Sequence, residues 1–212
     1  MHVGNFSRVH KLPGNNFLLI FEFIFLKIKI RNMNLSELKL DCATKQKKGL
    51  HFILGSIVIW ALVAIVHMTE LPILTKNMLT FCATAPLVPL AYFISRLIKV
   101  EFSDKKNPLN NLGLLFSLNQ ILYLLIAMWV YAAVPDKMVM VIAMIFGAHL
   151  LPYAWLYSSR IYGIMSVLVP ITALIVGINF EPYVLALLMV VVEVVFSIVL
   201  SIEVKKLPKT TN

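Results

Sequence analysis

Charge is what this chain has least of. Asp, Glu, Lys and Arg supply 14% of its 212 residues, where a soluble domain carries about 25%. Cysteine is nearly missing too. Cys42 sits beside a basic stretch and Cys82 inside an apolar run, with no CxxC or Cys/His spacing around either. That excludes a disulfide scaffold and leaves no metal site to expect. Enzyme motifs are lacking as well: no HExxH, no GxSxG, no Walker A loop and no paired aspartates of the intramembrane-protease kind. Ser56 follows Gly55, but no histidine lies at its depth, since His51 and His67 fall near the two ends of the same apolar run. The expectation is a protein that is not an enzyme and carries no cofactor.

Apolar residues are what is there. They make up 60% of the chain, and the mean hydropathy is +0.87. A single core of this length cannot hide so much apolar surface from water. An ordinary soluble domain and a disordered chain are both excluded, and the solvent of this protein is lipid. The formal charge of +9 does not mark a nucleic-acid binder. Residues 1–48 contribute nine basic side chains against three acids, and the remaining residues ten against seven. No basic run is interleaved with aromatics on an exposed face.

Six windows lie between the formal charges, at 49–69, 77–95, 107–135, 138–159, 161–180 and 182–202, the last interrupted once by Glu193. Each is at least 19 residues long, and crossing a bilayer as a helix takes about 20 apolar residues. The windows predict six transmembrane helices in an all-α integral membrane fold: Leu50–His67, Met78–Ser95, Leu112–Val134, Met138–Tyr157, Ile161–Ile178 and Tyr183–Val204. In lipid a helix satisfies its own backbone. A barrel would need strict alternation, which runs such as Val190-Val191-Val192 break.

Basic residues in the short loops set the orientation. Eleven collect on one side (Lys45, Lys47, Lys48, Arg96, Lys99, Lys105, Lys106, Arg160, Lys205, Lys206 and Lys209), against Lys76 and Lys137 on the other. Both termini are therefore expected in the cytoplasm of a cell whose plasma membrane holds the protein. Trp129, Tyr131, Tyr153, Trp155 and Tyr157 fall near span ends, at headgroup level.

Ahead of the spans, Phe17–Leu26 is too short to cross and is broken by Glu22; Lys27, Lys29 and Arg31 follow it where a signal peptide would have a cleavage site. Half of the first 32 residues are Phe, Ile, Lys or Asn. We read 1–32 as an N-terminal extension from a mis-called start, with Met33 the natural initiator. Residues 33–48 read as a cytoplasmic juxtamembrane helix, with Asn34 and Glu37 at capping-box spacing and Leu35, Leu38 and Cys42 on one face. Residues 49–204 form the membrane domain and 205–212 a basic tail.

The polar groups inside the bilayer are the candidate site. Glu193 lies ten residues into the sixth span, about 15 Å deep, and His149 eleven residues into the fourth, which runs the same way. Asn119 and Gln120 lie seven and eight residues into the third. An ionised carboxylate at that depth costs at least about 2.5–3.5 kcal/mol, so Glu193 must be protonated, paired or facing a wet cavity. One reading is a proton-responsive core in which Glu193 and His149 share a proton. The other is a hydrogen-bonded packing residue, with Asn119 and Gln120 as interhelical glue. Pro86 and Pro89 in the second span, Pro152 in the fourth and Pro170 in the fifth are candidate helix breaks, each removing a backbone donor. With proline in spans two and five and polar groups in three and six, the halves show a faint inverted parallel.

The string Gly147-Ala148-His149-Leu150-Leu151-Pro152-Tyr153-Ala154-Trp155-Leu156-Tyr157 is the most distinctive. His149, Pro152 and Tyr153 share a helix face, and Ala143 with Gly147 makes a small-xxx-small pair for close helix approach. With Lys47-Lys48-Gly49-Leu50 leading into a span that bears Trp60, it resembles a family of small bacterial multi-pass membrane proteins of unknown function, over about residues 33–204. The resemblance implies a bacterial membrane protein and carries no catalytic residue across. Two function classes follow from the residues: a small proton-linked permease or carrier for an unidentified small molecule or ion, and a non-transporting subunit, sensor or stress-response module with a structural polar core. Lipid is the partner in both, and a homo-oligomer is admitted.

Overall fold

The computed structural model describes residues 34–100 and 107–208; residues 1–32, read above as an extension, and Lys105, Lys106 and Lys209 lie outside the described residues. Everything described belongs to one unit, Asn32–Asn212, and among the described residues there is no strand.

The first helix, α1 (Leu35–Lys45), starts on a complete capping box. Asn34 Oδ1 accepts from the Glu37 amide at 3.0 Å, and the Asn34 amide donates to Glu37 Oε2 at 3.2 Å. This satisfies two donors that a helix start leaves orphaned. Leu38, Cys42 and Ala43 turn inward, whereas Leu35 is 51% exposed. A tight turn follows in which Lys47, Lys48 and Gly49 all have positive φ, at 46°, 51° and 72°.

Six helices or helix pairs are then long and apolar enough to cross a membrane. The first is α2 (Leu50–His67). The second comprises α3 (Ile73–Thr84) and α4 (Leu87–Leu97), starting earlier than Met78 because Lys76 is held inside the helix, its Nζ donating to the His67 carbonyl at 3.4 Å. The third is α5 (Pro108–Ala133), begun by Asn107, whose side chain accepts from the Leu109 amide at 3.0 Å. The fourth comprises α6 (Met138–Ala148) and α7 (Leu150–Leu156). The fifth is α8 (Arg160–Asn179) and the sixth α9 (Pro182–Lys205).

The four prolines behave differently. Pro86 sits in the gap between α3 and α4. The α6–α7 break falls at His149, three residues ahead of Pro152, whose ring crowds the preceding turn. Pro89 lies in the first turn of α4, where a missing N–H costs nothing. Pro170 does not break its helix: α8 runs through it.

Around α2 pack α9 on one side and α3 and α4 on another; α6 lies along α8, α8 touches α9, and α5 leans on α6, α7 and α1. Phe196 and Leu200 of α9, Val63 of α2, Ala143 of α6 and Ala173 of α8 are buried at the centre. At the α6–α8 crossing Gly147 lies against Pro170 and Val169, the close approach that the Ala143/Gly147 pair predicts. Most large exposed side chains on the spans are apolar, such as Leu97, Val167 and Ile198.

Candidate functional site

Glu193 is 0% exposed on the α9 face that packs against α2. Its Oε2 accepts from Ser56 Oγ at 2.6 Å, and the same hydroxyl lies 2.7 Å from the Ile53 carbonyl. Oε1 has no hydrogen-bond partner among the described residues. A hydroxyl carries one proton. That proton is shared between the two acceptors in a three-centre bond unless the carboxyl supplies a second one, and a neutral acid is the form that hydrocarbon tolerates.

His149 does not share this site. It sits at the α6–α7 break, and its Nδ1 is bonded to the Phe146 carbonyl one turn earlier. No hydrogen bond joins it to Glu193. What links the two helices is a ladder of rings. His149 meets Tyr153 with centroids 5.9 Å apart, Tyr153 meets Tyr162 at 6.2 Å, and Tyr162 meets Phe196, one turn from Glu193, edge-on at 4.9 Å. Tyr153 is a helix tie as well: its hydroxyl lies 2.7 Å from Ser117 Oγ and donates to the Gly113 carbonyl at 3.1 Å, fixing α7 to α5. Asn119 does not enter the polar layer. It is exposed on the outside of α5, its amide donating to Tyr123 at 2.9 Å. The side chain of Gln120 lies outside the described residues.

The basic end of the bundle is tied shut. Lys48, 6% exposed, forms a 2.7 Å ion pair with Glu203. Ser159 donates to the same carboxylate oxygen at 2.7 Å, and the Ile161 amide to the other at 3.3 Å. Tyr162 donates to the Lys48 carbonyl at 2.8 Å and Tyr157 to Gln46 at 2.7 Å. Gln46 in turn donates to Asn110 at 2.8 Å, and Asn107 to Asp41 at 2.8 Å. Lys47 donates to the Ile98 carbonyl. These bonds join α1 and the turn after it to spans two to six. The left-handed turn is what aims Lys48 inward: it reverses the chain between α1 and α2 at a cost of roughly 1–2 kcal/mol for each non-glycine residue.

The opposite end is looser. A cavity of about 520 Å³ opens there, lined by His67, Lys76, Asp136, Lys137 and Glu181 among others. Lys137 caps the end of α8, donating to the Gly177 carbonyl at 2.9 Å, and His67 is bonded to Thr80 at 3.0 Å. Among the described residues no ion pair links the two lysines to the two acids.

Sequence reasoning missed Ser56. A usable signal was there: Ser56 lies eleven residues before the end of its span at His67, and Glu193 eleven residues after the start of its own at Pro182. On adjacent antiparallel helices those counts place the two side chains at equal depth. Lys48 was likewise read only as a loop charge, and Glu203 was not singled out.

Six membrane-crossing helices around buried polar ties define a multi-pass α-helical membrane protein. The chain belongs to a family of unknown function, DUF7010, whose model matches residues 35–203. No curated protein and no solved structure matches it.

Proposed function

We propose that this is a small proton-linked permease of a cell membrane, oriented with its basic end and both termini in the cytoplasm. The carrying observation is Glu193, an acid wholly buried between helices with one oxygen unpartnered. It lies between a cavity at one end and a closed network at the other. Intramembrane carboxyls that face the bundle interior serve proton and ion pathways as a rule. Glu193 is the proton site in this reading and Ser56 its relay. The Lys48–Glu203 pair is the cytoplasmic gate, and the helix breaks at Pro86 and His149 are where spans two and four bend. His149 acts as a packing histidine beside Tyr153 and exchanges no proton with Glu193.

Purified protein in liposomes loaded with a pH-sensitive dye tests this. A panel of solutes should include one that drives proton entry in wild type and not in Glu193→Gln. Solute uptake that is insensitive to a pH gradient, or proton movement unchanged in Glu193→Gln, overturns it. The second reading, a non-transporting module, draws on the Ser56–Glu193 bond itself, which pins α2 to α9. It expects full function from Glu193→Gln and loss only when Glu193→Leu removes the bond.

A further inference from the structure

Four charged side chains of both signs line the cavity at the loose end of the bundle, and none is paired with another. Lys76 and Lys137 supply the cations, Asp136 and Glu181 the anions. Opposite charges sharing about 520 Å³ would ordinarily pair, and helix ends explain why these do not. The Lys76 ammonium donates to the His67 carbonyl at the end of α2, at 3.4 Å. That of Lys137 donates to the Gly177 and Ile178 carbonyls near the end of α8, at 2.9 Å and 3.3 Å. Carbonyls at a helix C-terminus lack partners within the helix and carry the negative end of its dipole. They hold the lysines that the acids would otherwise hold.

Hydrogen-bonding capacity is left over on both sides. An ammonium has three N–H groups. Lys137 uses two on these carbonyls and Lys76 one, which leaves one and two without an acceptor among the described residues. Asp136 and Glu181 are exposed, and neither carboxylate has a hydrogen bond or ion pair among the described residues. Glu181 is the N-cap residue of α9, yet its side chain does not cap that helix. The walls, by contrast, are tied together. Asn77, fully buried one residue beyond Lys76, donates to the Pro135 carbonyl at 2.9 Å and pins the turn Pro135–Lys137 against α3. His67 and Thr80 join α2 to α3, and Lys137 joins the same turn to α8. The segments carrying the charges stand in place before a solute arrives, which lowers the ordering cost of binding.

We propose that this cavity binds a small zwitterionic solute, one with a carboxylate and an ammonium group as in an amino acid. Its carboxylate takes N–H groups left on Lys76 and Lys137, and its ammonium takes Asp136 and Glu181. Two lysines balance two acids, so a solute of either single charge meets two like charges, which selects against it. The volume falls within the range of small-molecule pockets, about 300–1,000 Å³. As the identity of a transported solute this rests on the permease reading; as a binding site it does not, and its test reads binding with no proton gradient present.

The full chain in detergent is titrated by calorimetry at neutral pH with the α-amino acids of proteins, β-alanine and γ-aminobutyrate. Propionate and ethylamine are the controls, being β-alanine without its ammonium and without its carboxylate. At least one zwitterion should bind, and each control should bind at least about 10-fold more weakly than the best of them, the low end for losing a hydrogen bond to a charged group. Asp136→Asn and Glu181→Gln should each weaken the zwitterion by a similar factor while strengthening propionate, because a like charge is gone. Both carboxylates are exposed and bonded to nothing among the described residues, so these variants keep the fold. Lys76→Gln should weaken the zwitterion and strengthen ethylamine. Absence of binding across all the zwitterions, a control that binds as tightly as the best of them, or zwitterion affinity unchanged in both carboxylate variants overturns the proposal. Propionate binding that falls in step with the zwitterion in those variants overturns it too.

Discussion

Ser56 Oγ lies 2.6 Å from Glu193 Oε2, a bond between the first and last spans that joins residues 137 positions apart. It is one of the polar contacts, with Lys48–Glu203, that tie α9, the helix carrying the buried acid, to α2 and the turn before it. Removing the hydroxyl with Ser56→Ala leaves Glu193 with no hydrogen bond on either oxygen. An unsatisfied buried polar group costs about 1–3 kcal/mol, and thermal unfolding in detergent should report a loss of that order. Ser56→Thr keeps the hydroxyl and should lose less. If Ser56→Ala unfolds at the wild-type temperature, the bond contributes nothing to the bundle.

Lys48 and Glu203 close the basic end in a partly buried pair, with side chains 8% and 23% exposed. The partial exposure of Glu203 screens the pair, so less than the full cost of a buried pair is expected. Lys48→Met should destabilise by roughly 1–3 kcal/mol. The larger effect should be on access: a cysteine at Ser159 should react faster with a soluble thiol reagent once the pair is broken. Unchanged labelling in Lys48→Met would show that the pair does not seal this end.

Glycines 147 and 163 make a matched contrast. A Cβ at Gly147 would lie 2.5 Å from Pro170 Cδ and 2.8 Å from Val169 Cβ, whereas at Gly163 the nearest contact is 3.8 Å. Gly147→Ala forces α6 from α8 and should cost about 1–3 kcal/mol, the range for overpacking. Gly163→Ala should be neutral or slightly stabilising, since alanine is the better helix former. Equal unfolding temperatures for the two variants would refute the close crossing.

Gly49 tests the left-handed turn. Its φ is +72°, and a Cβ there would meet Tyr162 Oη at 3.1 Å. Gly49→Ala should destabilise by at least about 1 kcal/mol, with the loss seen as earlier release of α1 in hydrogen exchange.

Orientation is checked by labelling. In a background without Cys42 and Cys82, a cysteine at Lys206 should react only when reagent reaches the cytoplasm, and one at Lys137 from the other side. External labelling at Lys206 would invert the proposed orientation.

The number of crossings was legible in the charge gaps because hydrocarbon excludes formal charge, and that rule acts on each residue by itself. The capping box at Asn34 and Glu37 was legible because both partners lie within one turn. Span ends defined by the nearest charge were less secure: Lys76 lies within α3, where it lines the open cavity and its ammonium reaches the His67 carbonyl, a partner nine residues away in sequence. The proline pattern was half legible. Pro86 stands at a break and Pro152 three residues past one, while Pro170 lies within an unbroken helix packed against Gly147.

The sequence by itself determined a six-span helical membrane protein with an acid at mid-depth, since composition and period suffice for both. Neighbour choice was decided by tertiary structure alone. Depth along the normal can be counted in residues, but the rotation of each helix and its place in the bundle depend on how side chains from all the others interlock. Glu193 and His149 share a depth and bond elsewhere, whereas Glu193 and Ser56, on helices at opposite ends of the chain, meet because α2 and α9 pack side by side.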